Sequence, residues 1–339
     1  YRAKVNALWS QKRTMQIRRL GWTELKLSTI GLGTWAIGGG GWKFSWGPQD
    51  DRDSISTIRH ALELGINWID TAAVYGLGHS EEIVGKSIKR LRYEPIIATK
   101  CGRVWDKDGN IFGRLKKKSI RSEVEASLKR LKVEVIDLYQ IHWPEPDEDI
   151  EEAWSAIADL IKEGKIRYAG VSNFSVEQIK RIQPIHPVAS AQSPYSMLER
   201  SIEKKLLTYC SENNIGLITY SPMQKGLLTG KFSKERVQNL PEDDHRRRDP
   251  RFQEPELSAT LKLVEDLRSI AEKNGRTVAQ LAIAWVLRRP EVTAAIVGAR
   301  HPSQIDETIV AGEWVLSKGD ITAIEALLEK HQRLVTKTP

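Results

Sequence analysis

Short apolar segments alternate with longer amphipathic segments along most of the chain, and the alternation repeats about every 30 to 40 residues. The short segments are rich in Ile and Val, which is typical of strands that are buried on both faces of a sheet. The longer segments place apolar residues at helical spacing. The predicted strands are Ser28–Ile37, Ile66–Ile69, Pro95–Thr99, Val135–Ile141, Ile166–Val171, Val188–Ala191, Gly216–Tyr220 and Ala294–Val297.

Regular alternation of strands and helices favours a parallel sheet, and eight such units fit a closed (β/α)8 TIM barrel of the α/β class. A β-hairpin predicted within Met15–Leu27 would cap the bottom of this barrel, and Asp320–Lys330 is predicted as an extra C-terminal helix. We expect residues 15–339 to form this single barrel. Residues 1–14 are interpreted as an N-terminal extension that is disordered or was added in cloning.

Three consecutive predicted strands end in chemically active side chains. Asp70 follows the second strand, Lys100 the third and His142 the fourth, and Tyr75 lies shortly after Asp70. Each of these residues alone fits an ordinary role as a turn cap, a solvent-facing amine or a packed ring. Together they would meet at the C-terminal face of the barrel, where active sites are built on this fold.

Five motifs extend this pattern in order and with ordinary spacing. They are DTAAVYG at Asp70–Gly76, IIATKCG around Lys100, DLYQIHWP around His142, GVSNF at Gly170–Phe174 and TYSPMQKGLLTGKF at Thr219–Phe232. Over roughly Ile17–Leu316 the chain therefore resembles an aldo-keto reductase of the bacterial NADP-dependent type and, more distantly, a potassium-channel beta subunit. The resemblance implies reduction of aldehydes and ketones, with Asp70, Tyr75, Lys100 and His142 as the catalytic tetrad.

Reduction of a carbonyl group needs a hydride for the carbon and a proton for the oxygen. Tyr75 is the expected proton donor, and a charged Lys100 beside it is expected to lower the pKa of the phenol. Asp70 is expected to hold Lys100 in place, and His142 to orient the carbonyl oxygen through a hydrogen bond. No side chain supplies a hydride of this kind, so a cofactor is implied.

The run Gly31–Ala36 matches the dinucleotide-binding pattern G-x-G-x-x-A. That pattern requires a helix to begin at the glycines, but the next residues are Ile37 and the four glycines Gly38–Gly41, which disfavour a helix. We therefore reject a Rossmann domain and expect the cofactor to lie across the mouth of the barrel.

The resemblance also implies where this cofactor would bind. Ser172, Asn173 and Gln192 would contact the nicotinamide amide, although Ser172 and Asn173 could instead cap the following helix. Arg300, near a helix N-terminus, would bind the adenosine 2′-phosphate, which favours NADP(H) over NAD(H). The expected cofactor-binding set is Gly33, Thr34, Trp35, Asp70, Ser172, Asn173, Gln192, Tyr220, Ser221, Pro222, Met223, Gly226, Lys231, Gly298, Arg300, Gln304, Glu307 and Thr308.

Aromatic residues are expected to form the substrate pocket. Trp35, Trp105 and Trp143 follow the first, third and fourth strands and would lie beside Tyr75 and His142. Such walls suit aldehydes and aryl or aliphatic ketones.

The formal net charge of +8 permits an anionic ligand without identifying it. The basic run His245–Arg248 is flanked by acids, so a solvated loop or a lid over the cofactor phosphates is favoured over a nucleic-acid surface. The two cysteines have no metal-ligand spacing, which indicates a reducing cytoplasm and no metal site. No apolar run reaches the length of a membrane span.

We therefore expect a cytoplasmic monomer or weak homo-oligomer that reduces small carbonyl compounds with NADPH and binds neither nucleic acid nor membrane. The alternative is a nucleotide-binding redox sensor or channel-associated subunit with slow turnover.

Overall fold

The computed structural model describes residues 15–335, and the hypothesis about residues 1–14 concerns a segment outside this range. The strands are β1 (Ile17–Arg19), β2 (Lys26–Ser28), β3 (Ile30–Gly33), β4 (Trp68–Asp70), β5 (Ile96–Cys101), β6 (Arg103–Trp105), β7 (Ile111–Gly113), β8 (Ile136–Ile141), β9 (Ile166–Ser172), β10 (Ser190–Pro194), β11 (Gly216–Tyr220) and β12 (Val292–Gly298). The α-helices are α1 (Asp51–Glu63), α2 (His79–Ile88), α3 (Lys117–Leu131), α4 (Ile150–Lys162), α5 (Val176–Ile182), α6 (Leu206–Glu212), α7 (Lys234–Gln238), α8 (Glu256–Lys273), α9 (Val278–Leu287), α10 (Pro302–Ile309) and α11 (Lys318–Val335).

Eight of these strands close into a parallel barrel, which confirms the predicted fold. Around the barrel the order is β3, β4, β5, β8, β9, β10, β11 and β12, and β12 pairs with β3. Helices separate the barrel strands along the chain, and β6 and β7 form an added antiparallel hairpin between β5 and α3. The expected extra C-terminal helix is α11, which packs against α8.

The antiparallel hairpin of β1 and β2 closes the N-terminal end of the barrel. Its Leu20, Leu25 and Leu27 are buried in one apolar cluster with Trp68 and Leu138 from the barrel interior. These side chains exclude water from the bottom of the barrel, and burying them stabilises the closed end. A ligand site is therefore left to the opposite, C-terminal face.

Two strand boundaries differ from the prediction in ways that matter for the site. β3 ends at Gly33 rather than Ile37, because Trp35–Gly38 winds into a short 3-10 helix at the rim. β5 continues to Cys101, so Lys100 lies inside the strand and not beyond its end. Since side chains alternate along a strand, Lys100 points into the barrel and Cys101 toward the surrounding helices.

The register of the barrel brings the polar ends of neighbouring strands to one level. Lys100 on β5 pairs with Gln140 on β8, and His142 follows two residues later on the same side. Ser172 at the end of β9 pairs with Gln192 on β10. Side chains that are far apart in the chain are therefore neighbours at the barrel mouth.

Candidate active site

The ammonium group of Lys100 lies at the floor of the C-terminal face, sealed from solvent. Its Nζ is 2.5 Å from Asp70 Oδ1, 2.9 Å from the carbonyl oxygen of Thr71 and 3.4 Å from Tyr75 Oη. The side chain of Lys100 is 0% exposed and that of Asp70 is 3% exposed. A charge buried to this extent needs a partner, and the carboxylate of Asp70 supplies it.

The second carboxylate oxygen of Asp70 is held by two glutamine amides. Oδ2 accepts from Gln192 Nε2 at 2.8 Å and from Gln140 Nε2 at 3.5 Å. The Gln192 amide also donates to Gln140 Oε1 at 3.3 Å. These amides fix the orientation of Asp70 and, through it, of Lys100. Sequence reasoning missed Gln140, although its position two residues before His142 places both on the same face of one strand.

The environment of Tyr75 reverses one expectation about its chemistry. Burial, followed by the charge of Asp70, raises the pKa of Tyr75 well above its usual value. The expected lowering of this pKa is therefore wrong, because desolvation and the nearby carboxylate both favour the neutral phenol. Burial also lowers the pKa of Lys100, against an opposing effect of Asp70. The phenol is consequently protonated at neutral pH, as a proton donor must be.

His142 completes the group from the end of β8. Its ring lies 5.7 Å from the ring of Tyr75, centroid to centroid, at an interplanar angle of 78°. Burial, and then the charges of Lys100 and Arg103, lower the pKa of His142 well below its usual value. The imidazole is therefore neutral at pH 7 and can donate one N–H to an oxygen in the cavity.

Asp70, Tyr75, His142 and Gln192 line a cavity of about 990 Å³, and Lys100 contacts Asp70 and Tyr75 of that lining. All residues of the predicted cofactor-binding set line this cavity, as do four of the five predicted substrate residues. The fifth, Trp105, is not part of the lining. It lies on β6, paired with Ile111 of β7, and the hairpin contributes Arg103 and Ile111 to the cavity instead.

The inner end of the cavity offers fixed polar groups to a flat, amide-bearing ring. Tyr220 donates its hydroxyl hydrogen to Asn173 Oδ1 at 2.8 Å, and Asn173 Nδ2 donates to the carbonyl oxygen of His142 at 3.0 Å. Asn173 has a φ of 62°, a left-handed conformation that asparagine tolerates. The interpretation of Ser172 and Asn173 as helix caps is wrong, because Ser175 caps α5 through a hydrogen bond from the Gln178 amide.

The outer end of the cavity is lined by cations, which fit the phosphates of a dinucleotide. Arg300 lines the cavity, and three hydrogen bonds hold its guanidinium in place. Nε donates to Gln49 Oε1 at 2.6 Å. Nη1 donates to the carbonyl oxygen of Trp46 at 3.1 Å, and Nη2 donates to the carbonyl oxygen of Pro48. Gln304 accepts from the Arg300 amide at 2.7 Å. Further cations of the lining that belong to the segment after β11 are Lys225, Lys231, Arg236, Arg246, Arg248 and Arg251.

Comparison with known proteins identifies the family. The family model described as "Aldo/keto reductase family" matches residues 29–329. This chain belongs to the aldo/keto reductase family. The match extends from the first barrel strand into the last helix, and the family supports oxidoreductase chemistry on small carbonyl compounds.

Individual relatives of this aldo/keto reductase span nearly its whole length. Aldo-keto reductase YhdN of Bacillus subtilis (strain 168) is 43% identical over 310 residues, which cover 91% of this chain and 92% of the relative. The NADH-specific methylglyoxal reductase of Escherichia coli (strain K12) is 36% identical, with 93% of this chain and 98% of the relative covered. The solved structure of glycerol dehydrogenase AKR11B4 from Gluconobacter oxydans matches with a TM-score of 0.85 and 40% identity, over 94% of this chain and 97% of that chain.

The roof of the cavity in this reductase is made by two segments that cross, the glycine loop (residues 38–49) and the strap (residues 223–255). Asp243 of the strap accepts from the Gly41 amide at 3.1 Å and from Ser45 Oγ at 3.0 Å. The backbone amide of His245 donates to the carbonyl oxygen of Ser45 at 2.9 Å. The ring of His245 stacks on Trp35 with 4.8 Å between centroids.

Part of the charged run in the strap is buried, so the interpretation as a solvated loop is wrong for Asp244, His245 and Arg246, while Arg247 and Arg248 are exposed. The three buried residues are 0%, 7% and 9% exposed. Arg246 Nη2 donates to Asp244 Oδ2 at 2.6 Å, and its guanidinium lies 4.5 Å from the centre of the Trp46 ring. The expected lid over the cofactor thus has its residues in the cavity wall, and its contact with phosphates remains a prediction.

Within residues 15–335, no cluster of three or more His, Cys, Asp or Glu side chains is placed to hold a metal ion. The helices of this part of the chain include none that combines the length and the apolar character needed to cross a membrane.

Proposed function

We propose that this protein reduces aldehydes and ketones to alcohols with NADP(H), and that Tyr75 delivers the proton. The observation that carries the proposal is the position of Lys100 Nζ, which contacts Asp70, the Thr71 carbonyl and Tyr75 Oη at the floor of the cavity. When bound, the cofactor supplies a hydride to the carbonyl carbon.

The protein groups handle the carbonyl oxygen. Tyr75 Oη and the imidazole of His142 would hold this oxygen between two donors, because both rings line the same end of the cavity. As negative charge develops on the oxygen, the phenol of Tyr75 transfers its proton and His142 keeps its hydrogen bond. The neutral state of His142 lets it act as a donor without competing for that proton.

Lys100 acts on the phenolate that this transfer leaves behind. Its Nζ is already 3.4 Å from Tyr75 Oη, so the ammonium stabilises the negative charge as soon as it forms. The resting phenol has a raised pKa and gains little from the same ammonium. The interaction is therefore stronger in the transition state than in the ground state, which is the condition for raising the rate.

The preference for NADP(H) is proposed from the charges at the outer end of the cavity. Burial lowers the pKa of Arg300, and repulsion by the charge of Arg246 lowers it further, against the opposing charges of Asp244 and Asp243. A phosphate group between or beside the two guanidiniums would relieve this repulsion and bind in a bidentate manner. The Escherichia coli relative carries the name of an NADH-specific enzyme, so a direct comparison of the two cofactors is needed.

The test is oxidation of NADPH and NADH, followed by absorbance, with propanal, methylglyoxal and an aryl ketone as substrates. We expect turnover with NADPH at a kcat/KM at least about 10-fold above that with NADH, equivalent to ~1.4 kcal/mol of transition-state binding. Equal use of both cofactors would contradict the role of Arg300. Tight NADPH binding without turnover of any carbonyl would contradict the reductase and favour the redox-sensor alternative.

A further inference from the structure

Arg103 is a cation of the cavity wall whose hydrogen-bonding capacity is only partly used. Its side chain is 20% exposed and forms an ion pair through Nη2 with Glu145. Its guanidinium also lies over the ring of Trp143, 5.7 Å from the ring centre. Among residues 15–335, these two contacts leave the N–H groups of Nε and Nη1 without an acceptor.

The other buried or half-buried cations of the cavity are occupied differently. Each has a carboxylate partner that is less exposed than Glu145, or several carbonyl acceptors. The pairs are Lys225–Asp249, Arg246–Asp244 and Arg251–Glu199, and Arg300 is held by the glycine loop. Glu145 is 62% exposed, so water solvates it well and it neutralises Arg103 only weakly.

Arg103 stands at the substrate end of the cavity. It shares the lining with Tyr75 and His142, and its charge contributes to lowering the pKa of His142. The lysines and arginines proposed to meet the cofactor phosphates belong to other segments, at the strap and before α10. A ligand group that meets Arg103 would therefore belong to the carbonyl compound.

The contact with Trp143 determines how the guanidinium can bind. An arginine that lies on an aromatic face presents its planar edge, and that edge matches the two oxygens of a carboxylate or phosphate group. The Trp143 side chain is 41% exposed, which places this platform at the entrance of the cavity. An anionic group can reach it without crossing the floor, where Lys100 is sealed.

We propose that Arg103 is a specificity-determining residue that binds a carboxylate or phosphate group at the far end of the carbonyl substrate. The inference rests on the proposed reductase function and deepens it. The favoured substrate class is an aldehyde or ketone with an anionic group separated from the carbonyl, and Glu145 competes with that group for the guanidinium.

The experiment compares matched anionic and neutral substrates. The pairs are succinic semialdehyde with butanal, 4-carboxybenzaldehyde with benzaldehyde, and glyceraldehyde 3-phosphate with glyceraldehyde. We measure the ratio of kcat/KM within each pair at low and high salt. We expect the wild type to prefer the anionic member of at least one pair by about 10-fold, with the preference reduced by salt. The first two pairs report a carboxylate and the third a phosphate.

Two variants move this ratio in opposite directions. Arg103→Gln should lower the anionic preference about 10-fold, while Glu145→Gln, which removes the competing carboxylate, should raise it about 3-fold. Lys43→Gln is the matched control. Lys43 also lines the cavity, but it is exposed and solvated, so its loss should change the ratio less than about 2-fold.

A wild type that reduces neutral and anionic members equally would overturn the inference while leaving the reductase intact. A ratio that does not rise in Glu145→Gln would also overturn it, even if Arg103→Gln fails to fold. Failure of the wild type to reduce any of the six compounds would overturn the proposed function and this inference together.

Discussion

The floor and the roof of the cavity are built in opposite ways. The floor consists of side chains at the ends of hydrogen-bonded strands, where buried Lys100 and Gln192 both bind the buried carboxylate of Asp70. The roof consists of two irregular segments, and the Ser45–Asp243 hydrogen bond joins positions 198 residues apart in sequence. Its contacts connect loop to loop and not strand to strand.

This difference assigns different tasks to the two regions. Buried ion pairs in a rigid sheet keep their geometry, which suits proton transfer over fractions of an ångström. Loop contacts at the roof can open and close with little cost to the barrel, which suits entry of a large cofactor. We therefore expect floor substitutions to change the rate of the chemical step and roof substitutions to change affinity.

The largest expected effect comes from Lys100→Met at the floor. The rate of the chemical step should fall by about 10³-fold, because the phenolate of Tyr75 loses its stabilising charge. The free energy of unfolding should fall by about 3–5 kcal/mol, because Asp70 is left buried without its partner. Single-turnover kinetics and denaturant titration measure the two effects.

The matched control for this prediction is Lys116→Met. Lys116 forms a similar pair with Asp149, but its side chain is 54% exposed. Its loss should cost at most about 1 kcal/mol. Equal destabilisation by both substitutions would contradict the claim that burial at the floor makes the difference.

The second effect concerns pH and His245 at the roof. Burial lowers the pKa of His245 from 6.5 to about 4, so the unfolded chain binds a proton here that the folded protein does not. The free energy of unfolding should therefore decrease as pH falls from 6.5 to 4, by up to about 3 kcal/mol from this residue. His245→Phe keeps the stack on Trp35 and should flatten this part of the profile. The free energy of unfolding is measured at several pH values by denaturant titration. If it depends on pH equally in the wild type and the variant between pH 6.5 and 4, the assignment is contradicted.

A smaller effect is expected from Asp243→Ala, which removes the acceptor for the Gly41 amide and Ser45. The dissociation constant of NADPH should rise about 10-fold, because the crossing of glycine loop and strap is weakened. The value of kcat should stay within about 3-fold of the wild type. Quenching of tryptophan fluorescence and steady-state kinetics provide the two values.

Glu242→Ala serves as the control for Asp243→Ala. Glu242 is exposed on the same strap, so its loss removes the same charge without a contact to the glycine loop. An equal loss of NADPH affinity in both variants would show that net charge, and not the crossing, governs binding.

The floor could be predicted from the sequence because its determinants are local. Side chains alternate between the two faces along an apolar strand, so the strand predicts on which face the next side chain lies. Asp70, Lys100 and His142 each lie at or near the end of one such strand. Gln140 could have been found by the same alternation. The barrel closure followed from regular repetition of these units.

The roof could not be predicted in this way. The glycine loop has no periodicity, and its partners in the strap lie far along the chain, so neither segment reveals the other. The predicted direction of the pKa shift at Tyr75 was also wrong. The shift depends on burial of the phenol by rings from the glycine loop and its neighbourhood, such as Trp42 and Trp35, whose positions the sequence does not reveal. Trp105 was misplaced because the β6–β7 hairpin carries it away from the lining.

The most direct test of the account is the single-turnover rate of NADPH oxidation by propanal in Tyr75→Phe. Removal of the phenol proton, with the ring and the contacts of Lys100 to Asp70 retained, should lower this rate by about 10³-fold and leave the dissociation constant of NADPH within about 2-fold. A rate within about 10-fold of the wild type would contradict the role of Tyr75 as the proton donor.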